Sequence, residues 1–532
     1  MSISAAAAET FTERERRILQ PYFTNLDGHV FALTNLPETV KGALFARYSR
    51  SAKSLRRLFL DEFAGNLEGA AAGGSDVGVE RAEKLYSRVF NDYGDDSVAQ
   101  LGGAHVACEY VSNVLTKVLE WGRLMAYLEQ STRYVPYTDK LHGRWRYHVP
   151  AEVQGALRDR YVAVMDRAFE AYASLIDPMQ RFFSARYPRG PQDSESVHRA
   201  AIRAKALDTL RGMLPAATQS NVGIYGTGQA YEALLLRMQA HPLDEVRACA
   251  AQMLGELRKV IPAFLTRVDQ PERGGRWSRY FAATRDATRG LADALLADLD
   301  PEPRDEVTLT GFDPDGEIKI VASALYAVSG LPDDQLLAAA RAMTPADRLA
   351  VLDAYVGDRG NRRHRPGRAF ERTAYRFDVL TDYGAFRDLQ RHRLLTIEWQ
   401  PLSTRHGYSE PDALGEAGVL DAWTRVMDDS ADLYEALRGA ALDSTAPYAV
   451  AMAYRVRFYM EMNAREAMHL IELRTAPQGH PAYRRVCQQM HRLIADRAGH
   501  KAVAAAMTFA DHSEVELERL KAERELEKKR KA

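Results

Sequence analysis

The densest set of candidate anion-binding side chains comprises Arg391, His392 and Arg393, with Ser403 and Arg405 about ten residues further on. Two arginines that flank a histidine supply planar, permanently charged donors for a phosphate or carboxylate. The serine hydroxyl, nearby backbone N–H groups and the third arginine form a second anion site of the kind that holds a monophosphate. Two such sites predict two phosphorylated ligands, such as a nucleotide and a cofactor. The alternative is a solvated basic turn.

A second candidate is the segment NAREAMHLIELR, which runs from Asn463 to Arg474. On a helix these two residues lie about three turns apart and share a face. Arg465 and His469 are four residues apart and are neighbours on another face. A helix with one apolar side and this set of polar groups predicts a frame for a flat heterocycle. The alternative is an ordinary amphipathic helix with surface charges.

A third candidate is the segment EQSTRY, which contains Glu129, Gln130, Ser131, Arg133 and Tyr134. Its serine and arginine repeat the pattern of the monophosphate site described above. The segment therefore predicts a second anion-binding loop, and the alternative is a simple turn between a helix and a loop.

Helical segments must position these side chains, because strand-like runs are few. Residues 152–184, 229–268 and 332–355 carry apolar residues at three- and four-residue spacing. The best strand-like runs are EVTL at residues 306–309 and EIKIV at residues 317–321. The expected fold class is a helix-rich α+β protein. Residues 360–368 (GNRRHRPGR) predict a basic loop.

An internal repeat organises the chain, since Ser131-Thr132-Arg133 recurs as Ser403-Thr404-Arg405. Further matched pairs follow in the same order: Arg237 with Arg474, His241 with His480, and Cys249 with Cys487. The repeat predicts two diverged copies of one domain. The first copy covers residues 1–300, the second residues 301–512, and a charged tail residues 513–532. The tail is expected to be a solvated helix or a frayed end, with a nucleic-acid-binding tail as the alternative.

The composition limits the class of protein. The 532 residues include 71 basic and 72 acidic side chains, a net charge of -1, so we expect no general nucleic-acid coating. Three cysteines without CxxC spacing predict no disulfide framework and fit a reducing cytoplasm. The first residues lack the pattern of a secretory signal, and no apolar run predicts a membrane span.

Taken together, these motifs resemble those of the flavin-dependent thymidylate synthases. The Arg-His-Arg run with its Ser-x-Arg, the EQSTRY segment and the NAREAMHLIELR helix each look like part of that family's pattern. Phe370-Glu371-Arg372 is similar to the family's Phe-Glu-His, and residues 94–97 (GDDS) are similar to a Gly-His turn. The resemblance implies two diverged copies of the family's fold in one chain.

The resemblance also implies a reaction. Such enzymes bind FAD and dUMP, take a one-carbon unit from methylenetetrahydrofolate, and use NADPH to reduce the flavin. The protein positions the rings and stabilises charge on the pyrimidine, and no cysteine nucleophile is required.

Site roles carry over by position. The implied catalytic residue is Arg474, which contacts the uracil. The implied FAD-binding residues are Arg391, His392, Arg393, Glu371, Asn463, Arg465 and His469. The implied substrate-binding residues are Glu129, Gln130, Ser131, Arg133, Tyr134, Arg211, Arg237, Ser403 and Arg405.

The two copies depart from the family pattern in complementary ways. The first copy has Trp121-Gly122-Arg123 where Arg-His-Arg belongs, whereas the second copy has Pro401 and Leu402 before its serine. We therefore expect each site to be built from both copies, and a homo-oligomer that is a dimer of tandem chains. Two alternatives stay open. One is a catalytically impaired nucleotide-binding or scaffolding homologue, and the other is a flavoenzyme that acts on another pyrimidine nucleotide.

Overall fold

The computed structural model describes residues 9–49, 51–64 and 100–531, so the turn expected at residues 94–97 lies outside the described residues. The chain divides into two compact units. Unit 1 contains Met1–Glu109, Leu124–Glu129 and Asn221–Leu299, and unit 2 contains Tyr110–Arg123, Gln130–Ser220 and Asp300–Ala532. Both copies therefore contribute residues to unit 2.

The helices and strands are given in chain order. Up to residue 299 they are α1 (Glu13–Leu19), α2 (Glu38–Tyr48), α3 (Leu55–Leu58), β1 (Gly103–Ser112), α4 (Asn113–Leu119), β2 (Met125–Glu129), α5 (Gly155–Arg186), α6 (Glu195–Leu210), β3 (Gln219–Thr227), α7 (Gly228–Gln239), α8 (Asp244–Leu257) and α9 (Gly274–Leu295). Short π- or 3₁₀-helical turns cover Phe59–Phe63, Arg211–Met213 and Pro262–Leu265.

The rest of the chain continues this pattern. Its elements are β4 (Val307–Phe312), α10 (Gly316–Ser329), α11 (Asp333–Ala342), α12 (Pro345–Val356), β5 (Ala374–Asp382), α13 (Tyr383–Gln390), β6 (Thr396–Trp399), α14 (Ala413–Glu416), α15 (Leu420–Gly439), β7 (Arg455–Asn463), α16 (Ala464–Arg474), α17 (Pro481–Asp496), α18 (Lys501–Ala506) and α19 (Leu520–Lys531). Short 3₁₀ turns cover Arg368–Arg372 and Ala446–Ala449.

The two sheets share one strand order, and this confirms the predicted fold class of two copies. Among the described residues, the first sheet runs β1-β3-β2 and the second runs β4-β5-β7-β6, in which β4 is a further edge strand. The pairs β2–β3, β5–β7 and β6–β7 are antiparallel. In β5 and β7 buried residues alternate with more exposed ones, as expected for strands with one face on a core.

The same junction of strand, cap and helix occurs twice in each copy. Ser112 caps α4 and Asp382 caps α13, and each side chain accepts a hydrogen bond from a backbone N–H of the first turn. Thr227 caps α7 and Asn463 caps α16 in the same way. These residue types are the preferred N-caps, so each strand passes directly into a helix.

One of the two predicted strands is wrong. The prediction at residues 306–309 is confirmed by β4, whereas residues 317–321 lie in helix α10. Ile320, Val321 and Ala324 are buried there, at a spacing of one, three and four residues that marks a helix face. A short apolar run is ambiguous between helix and strand, and its continuation to Ser329 decides for the helix.

Counterpart segments of the two copies pair inside unit 2. Backbone hydrogen bonds join Ala216 N to Val450 O over 2.8 Å and Ala453 N to Gly212 O over 2.9 Å. The side chain of Gln390 donates to the carbonyl of Lys117 over 2.9 Å. The first two bonds hold the segment after α6 against residues 450–453, and the third holds the end of α13 against α4.

The charged tail contains helix α19, which belongs to unit 2. Arg524 forms a two-pronged ion pair with Asp193 at 2.5 and 2.8 Å, and Lys205 pairs with Glu518 at 2.5 Å. The tail is therefore attached to α6 and the loop before it. All three cysteines are free. Within the described ranges, no helix combines the length and apolarity needed to cross a membrane.

Candidate active site

A buried carboxylate at the end of α13 gathers three arginines. Asp388 accepts from Arg391 Nη2 over 2.6 Å, from Arg474 Nη1 over 3.5 Å and, through its other oxygen, from Arg211 Nη1 over 3.5 Å. Arg474 Nη2 also donates to the Asp388 carbonyl. Burial alone would raise the pKa of Asp388, but these arginines and Arg133 hold that pKa well below its ordinary value. Asp388 is therefore an ionised counter-charge.

A second carboxylate holds the first-copy loop. Arg133 forms a fork with Asp208 at 2.8 and 2.6 Å and donates to the hydroxyl of Tyr483 over 2.9 Å. Burial opposes ionisation of Asp208, but Arg133 outweighs it and lowers the pKa of this carboxyl. The ring of Tyr483 also lies 5.4 Å from the guanidinium carbon of Arg474. One tyrosine thus contacts the first-copy loop arginine and the second-copy helix arginine.

The resulting arginine cluster comprises Arg133, Arg211, Arg391 and Arg474, together with Asp208 and Asp388. Asp382 lies close enough for Arg211 to oppose the rise in its pKa, which burial causes. Even if Asp382 is ionised, four guanidinium groups face three carboxylates. Burial and nearby arginines lower the pKa of His392 well below its ordinary value, so it adds no charge. The arginine cluster therefore carries surplus positive charge, which suits a phosphate.

A chain of hydrogen bonds fixes the tautomer of His392. Arg474 Nε donates to His392 Nε2 over 3.0 Å, so that ring nitrogen must be an acceptor. The proton of the neutral imidazole then lies on Nδ1, which is 3.3 Å from Glu466 Oε1. The ring of His469 lies edge-on to His392 at 5.6 Å. The neutral ring of His392 therefore links the charged Arg474 to the buried carboxyl of Glu466.

The same three side chains have a spacing that could hold a metal ion. One ligand atom each from His392, Glu466 and His469 lies within 4.8 Å of the other two. Burial and, after it, the charges of Arg365, Arg362 and other arginines together lower the pKa of His469 to about 4. Because this surplus of positive charge opposes a cation, we interpret His392 and Glu466 as a hydrogen-bonded pair against which His469 packs.

Glu466 is expected to make stability fall as the pH rises. Burial raises its pKa to about 7 from an ordinary value of 4.5, so the folded state holds a proton that the unfolded state has released. Its stabilising effect is complete below pH 4.5 and is lost as the pH approaches 7. The loss amounts to about 2–4 kcal/mol at roughly 1.4 kcal/mol per pKa unit.

This expectation is checked by urea unfolding between pH 4.5 and 8, with the wild type compared to Glu466→Gln. The free-energy difference between the two proteins should change across this range, because glutamine does not titrate. Buried histidines titrate with the opposite sign, but they do so in both proteins and cancel in the difference. A pH-independent difference would show that Glu466 titrates normally.

A cavity of about 460 Å³ adjoins the arginine cluster within unit 2. Its lining includes Asp208, Arg211, Asp382, Trp423 and His480. Arg211 Nη2 and Trp423 Nε1 are both buried without a hydrogen-bond partner among the described residues. Unpaired buried donors are costly, so a ligand with acceptor oxygens fits this cavity. Its volume falls in the usual range for small-molecule sites.

The structure places the other predicted site residues as follows. Glu371 pairs with Arg368 at 2.9 Å and with Arg465 at 3.7 Å, and Asn463 serves as the cap of α16. Ser131 Oγ accepts from the backbone N–H of Arg133 over 3.2 Å. The half-buried residues Gln130 and Arg393 belong to unit 2, as does exposed Tyr134, whose ring lies under Arg519.

Four further predicted residues lie in the second-copy loop or in unit 1. Ser403 is buried and Arg405 is exposed in the loop after β6, where Arg405 helps to lower the pKa of His406. Glu129 and Arg237 belong to unit 1. Burial lowers the pKa of Arg237, and Tyr127 opposes this effect.

Sequence reasoning missed the acidic and aromatic partners of the arginines. Asp208 and Asp388 each stand three residues before a predicted site arginine on a helix, which is the spacing of an intrahelical pair. The repeated Asp-x-x-Arg pattern was a usable signal. Tyr483 gave none, because a tyrosine after a His-Pro pair has no distinctive spacing.

The chain matches a known protein family over two segments. The family model described as "Thymidylate synthase complementing protein" matches residues 43–263 and 314–498. The chain belongs to this family. The two matched segments fall on either side of the predicted junction near residue 300, so this member of the thymidylate synthase complementing family carries two copies of the domain.

Relatives of this family member differ in length. A "UPF0159 protein" from Chlamydia muridarum is 38% identical over 520 residues, which is 96% of this chain and 98% of that protein. A "Flavin-dependent thymidylate synthase" from Clostridium tetani is 25% identical over 190 residues, 35% of this chain and 70% of that protein. A solved "UMP/dUMP methylase PolB" from Streptomyces cacaoi, bound with 5-Br dUMP, is 18% identical, covers 37% of this chain and 94% of that chain, and has a TM-score of 0.31.

Proposed function

We propose that this protein methylates dUMP to dTMP, with FAD as cofactor, methylenetetrahydrofolate as one-carbon donor and NADPH as reductant. The observation that carries the proposal is the arginine cluster, in which residues of both copies meet within unit 2. Arg133 from the first copy and Arg474 from the second contact the same tyrosine. Membership of the thymidylate synthase complementing family supports the same reaction class.

The side chains of the arginine cluster have distinct tasks in this proposal. Arg133 and Arg211 bind the nucleotide phosphate, which displaces part of their pairing with Asp208 and Asp388. Arg474 contacts the pyrimidine and stabilises the negative charge that develops on it. The neutral ring of His392 accepts a hydrogen bond from Arg474 and so holds its guanidinium in one orientation without adding charge. Glu466, whose pKa is raised, holds the other side of that ring.

The donor set fits a phosphorylated flavin as well as a nucleotide. The orphaned Nη2 of buried Arg211 points to an acceptor on the nucleotide that the protein itself does not supply, and the guanidinium groups of Arg391, Arg393 and Arg465 suit the phosphates of the flavin. Arg391, His392, Arg393, Arg465 and His469 are the residues we propose for FAD, whereas Asn463 and Glu371 act through the cap of α16 and the position of Arg465. FAD, when bound, supplies a hydride to the substrate carbon.

The nucleotide role of Arg133 is tested by alanine substitution. Arg133→Ala should weaken dUMP binding by about 1.5–3 kcal/mol, because one charge-assisted phosphate contact is lost. Isothermal titration calorimetry measures the affinity. Circular dichroism checks that the variant is still folded, because Asp208 loses its partner Arg133. Arg199→Ala is the matched control, since Arg199 has a 72% exposed side chain in the same unit.

The dUMP titration also shows which of the two loops binds the nucleotide, and a separate assay shows whether binding leads to catalysis. If Arg405→Ala weakens dUMP binding and Arg133→Ala does not, the second-copy loop is the substrate site and this assignment fails. Release of tritium from C5 of labelled dUMP, together with flavin absorbance of the purified protein, tests the reaction. Binding of dUMP without tritium release would leave a nucleotide-binding homologue instead of an enzyme.

A further inference from the structure

The basic loop at residues 360–368, here called the arginine loop, holds three unsatisfied positive charges. Within the described part of the chain, the guanidinium groups of Arg362, Arg363 and Arg365 have no hydrogen-bond or ion-pair partner. Arg368, the fourth arginine of the loop, pairs with Glu371 at 2.9 Å. Three like charges within four residues repel each other, so an anionic ligand would stabilise this arrangement.

The backbone of the arginine loop is fixed although its arginines are unpaired. Arg359, just before the loop, forms a buried fork with Glu472 of α16 at 2.6 and 2.7 Å, and its Nε donates to the His364 carbonyl over 2.6 Å. Arg465 Nε donates to the carbonyl of Pro366 over 2.8 Å. A charged loop attached to a helix at several points presents its free guanidinium groups with little ordering cost on binding.

The arginine loop also adjoins Glu466 and His469. Among the charges around Glu466, Arg365 opposes the effect of burial most strongly, and Arg365 and Arg362 are the leading charges on His469. An anion held by the loop would therefore lie beside residues that we propose for the flavin.

We propose that the arginine loop binds the diphosphate of a dinucleotide cofactor, an inference that rests on the proposed function and deepens it. Guanidinium groups bind phosphate oxygens in pairs, and three of them match two linked phosphates better than one. The overall net charge of -1 and the short span of the loop favour a small anion over a nucleic acid.

The test uses the full chain and a double variant, Arg363→Ala with Arg365→Ala. The matched control removes two exposed arginines of α9, Arg276→Ala with Arg289→Ala. Calorimetric titrations at constant ionic strength use FAD, FMN, NADPH, inorganic pyrophosphate and a single-stranded oligonucleotide. We expect the loop variant to lose about 30-fold or more in FAD affinity and to lose pyrophosphate binding. FMN, which has a single phosphate, should be weakened less, and the control should match the wild type.

Each other result has a defined meaning. Equal FAD affinity in the loop variant and the wild type overturns the inference, and so does an equal loss for FAD and FMN. A loss of oligonucleotide binding alone would identify a nucleic-acid surface and also overturn it. If the wild type binds pyrophosphate and NADPH through the loop but takes up no FAD, the flavin part of the proposed function fails while the loop site stands. A wild type that binds no dinucleotide overturns both.

Discussion

Arg474→Ala is expected to lower the rate of dTMP formation by about 100-fold or more, the usual loss when a donor to developing charge is removed. The side chain ends helix α16 and reaches three groups at once. It donates to His392 Nε2 over 3.0 Å and to both the carbonyl and a carboxylate oxygen of Asp388. These three hydrogen bonds fix the guanidinium of Arg474, so it meets the substrate in one orientation.

Arg474→Ala should lower the turnover rate strongly and the stability of the fold only slightly. Asp388 keeps its 2.6 Å bond to Arg391 when Arg474 is removed, so its counter-charge persists. His392 loses only the donor to Nε2, which a water can replace. The affinity for dUMP should therefore fall much less than the turnover rate, if Arg133 and Arg211 bind the phosphate as proposed.

Tritium release from C5 of labelled dUMP measures turnover, and calorimetry measures dUMP affinity in the same preparation. Arg474→Lys keeps the charge but loses the planar fork, and we expect it to recover only a small part of the activity. Arg497→Ala, an exposed position in the same unit, is the matched control. An Arg474→Ala protein with wild-type turnover would remove Arg474 from the catalytic role.

The sequence was sufficient for the parts of the fold that depend on local pattern. The long helix α5 and strand β4 follow from spacing, and the two copies follow from the recurrence of Ser-Thr-Arg. The strand predicted at residues 317–321 failed because apolar residues over five positions fit both periods. Only the continuation of the segment as α10 to Ser329 distinguishes a helix from a strand there.

The candidate site shows a different limit. Arg133, Arg391 and Arg474 were predicted individually, because charge and family resemblance mark them. Their grouping depends on the contact of Asp388 with Arg474, 86 positions away in sequence, and on that of Tyr483 with Arg133, 350 positions away. No spacing rule links such distant positions. The two anion-binding loops already differ in sequence at Pro401 and Leu402, and packing adds that the Arg133 side chain is only 11% exposed whereas Arg405 is exposed.

Asp388→Asn is expected to destabilise the protein by about 3–5 kcal/mol, the usual cost of leaving buried charges without their partner. Asp388 faces Arg211, Arg391 and Arg474, and its side chain is only 10% exposed. Asparagine keeps the shape and can still accept a hydrogen bond, but it removes the negative charge. Three guanidinium groups would then repel each other in a site that water hardly reaches.

In Asp388→Asn, dUMP should raise the unfolding temperature more than it does in the wild type. In the wild type a phosphate competes with Asp388 for the arginines, whereas in Asp388→Asn it supplies the missing charge. Ligand that binds only the folded state raises the unfolding temperature. We therefore expect a larger upward shift with dUMP in the variant than in the wild type, measured by calorimetric melting at one nucleotide concentration.

A surface pair supplies the matched control for this prediction. Asp429 pairs with Arg167 at 2.9 Å, and the two side chains are 37% and 53% exposed. Exposed pairs contribute about 0–1 kcal/mol, so Asp429→Asn should change the free energy of unfolding little and the dUMP response not at all. If Asp388→Asn is no less stable than Asp429→Asn, then Asp388 is not the ionised counter-charge. If it is less stable but gains no larger shift with dUMP, the arginine cluster binds no nucleotide phosphate, and the proposed substrate site must lie elsewhere.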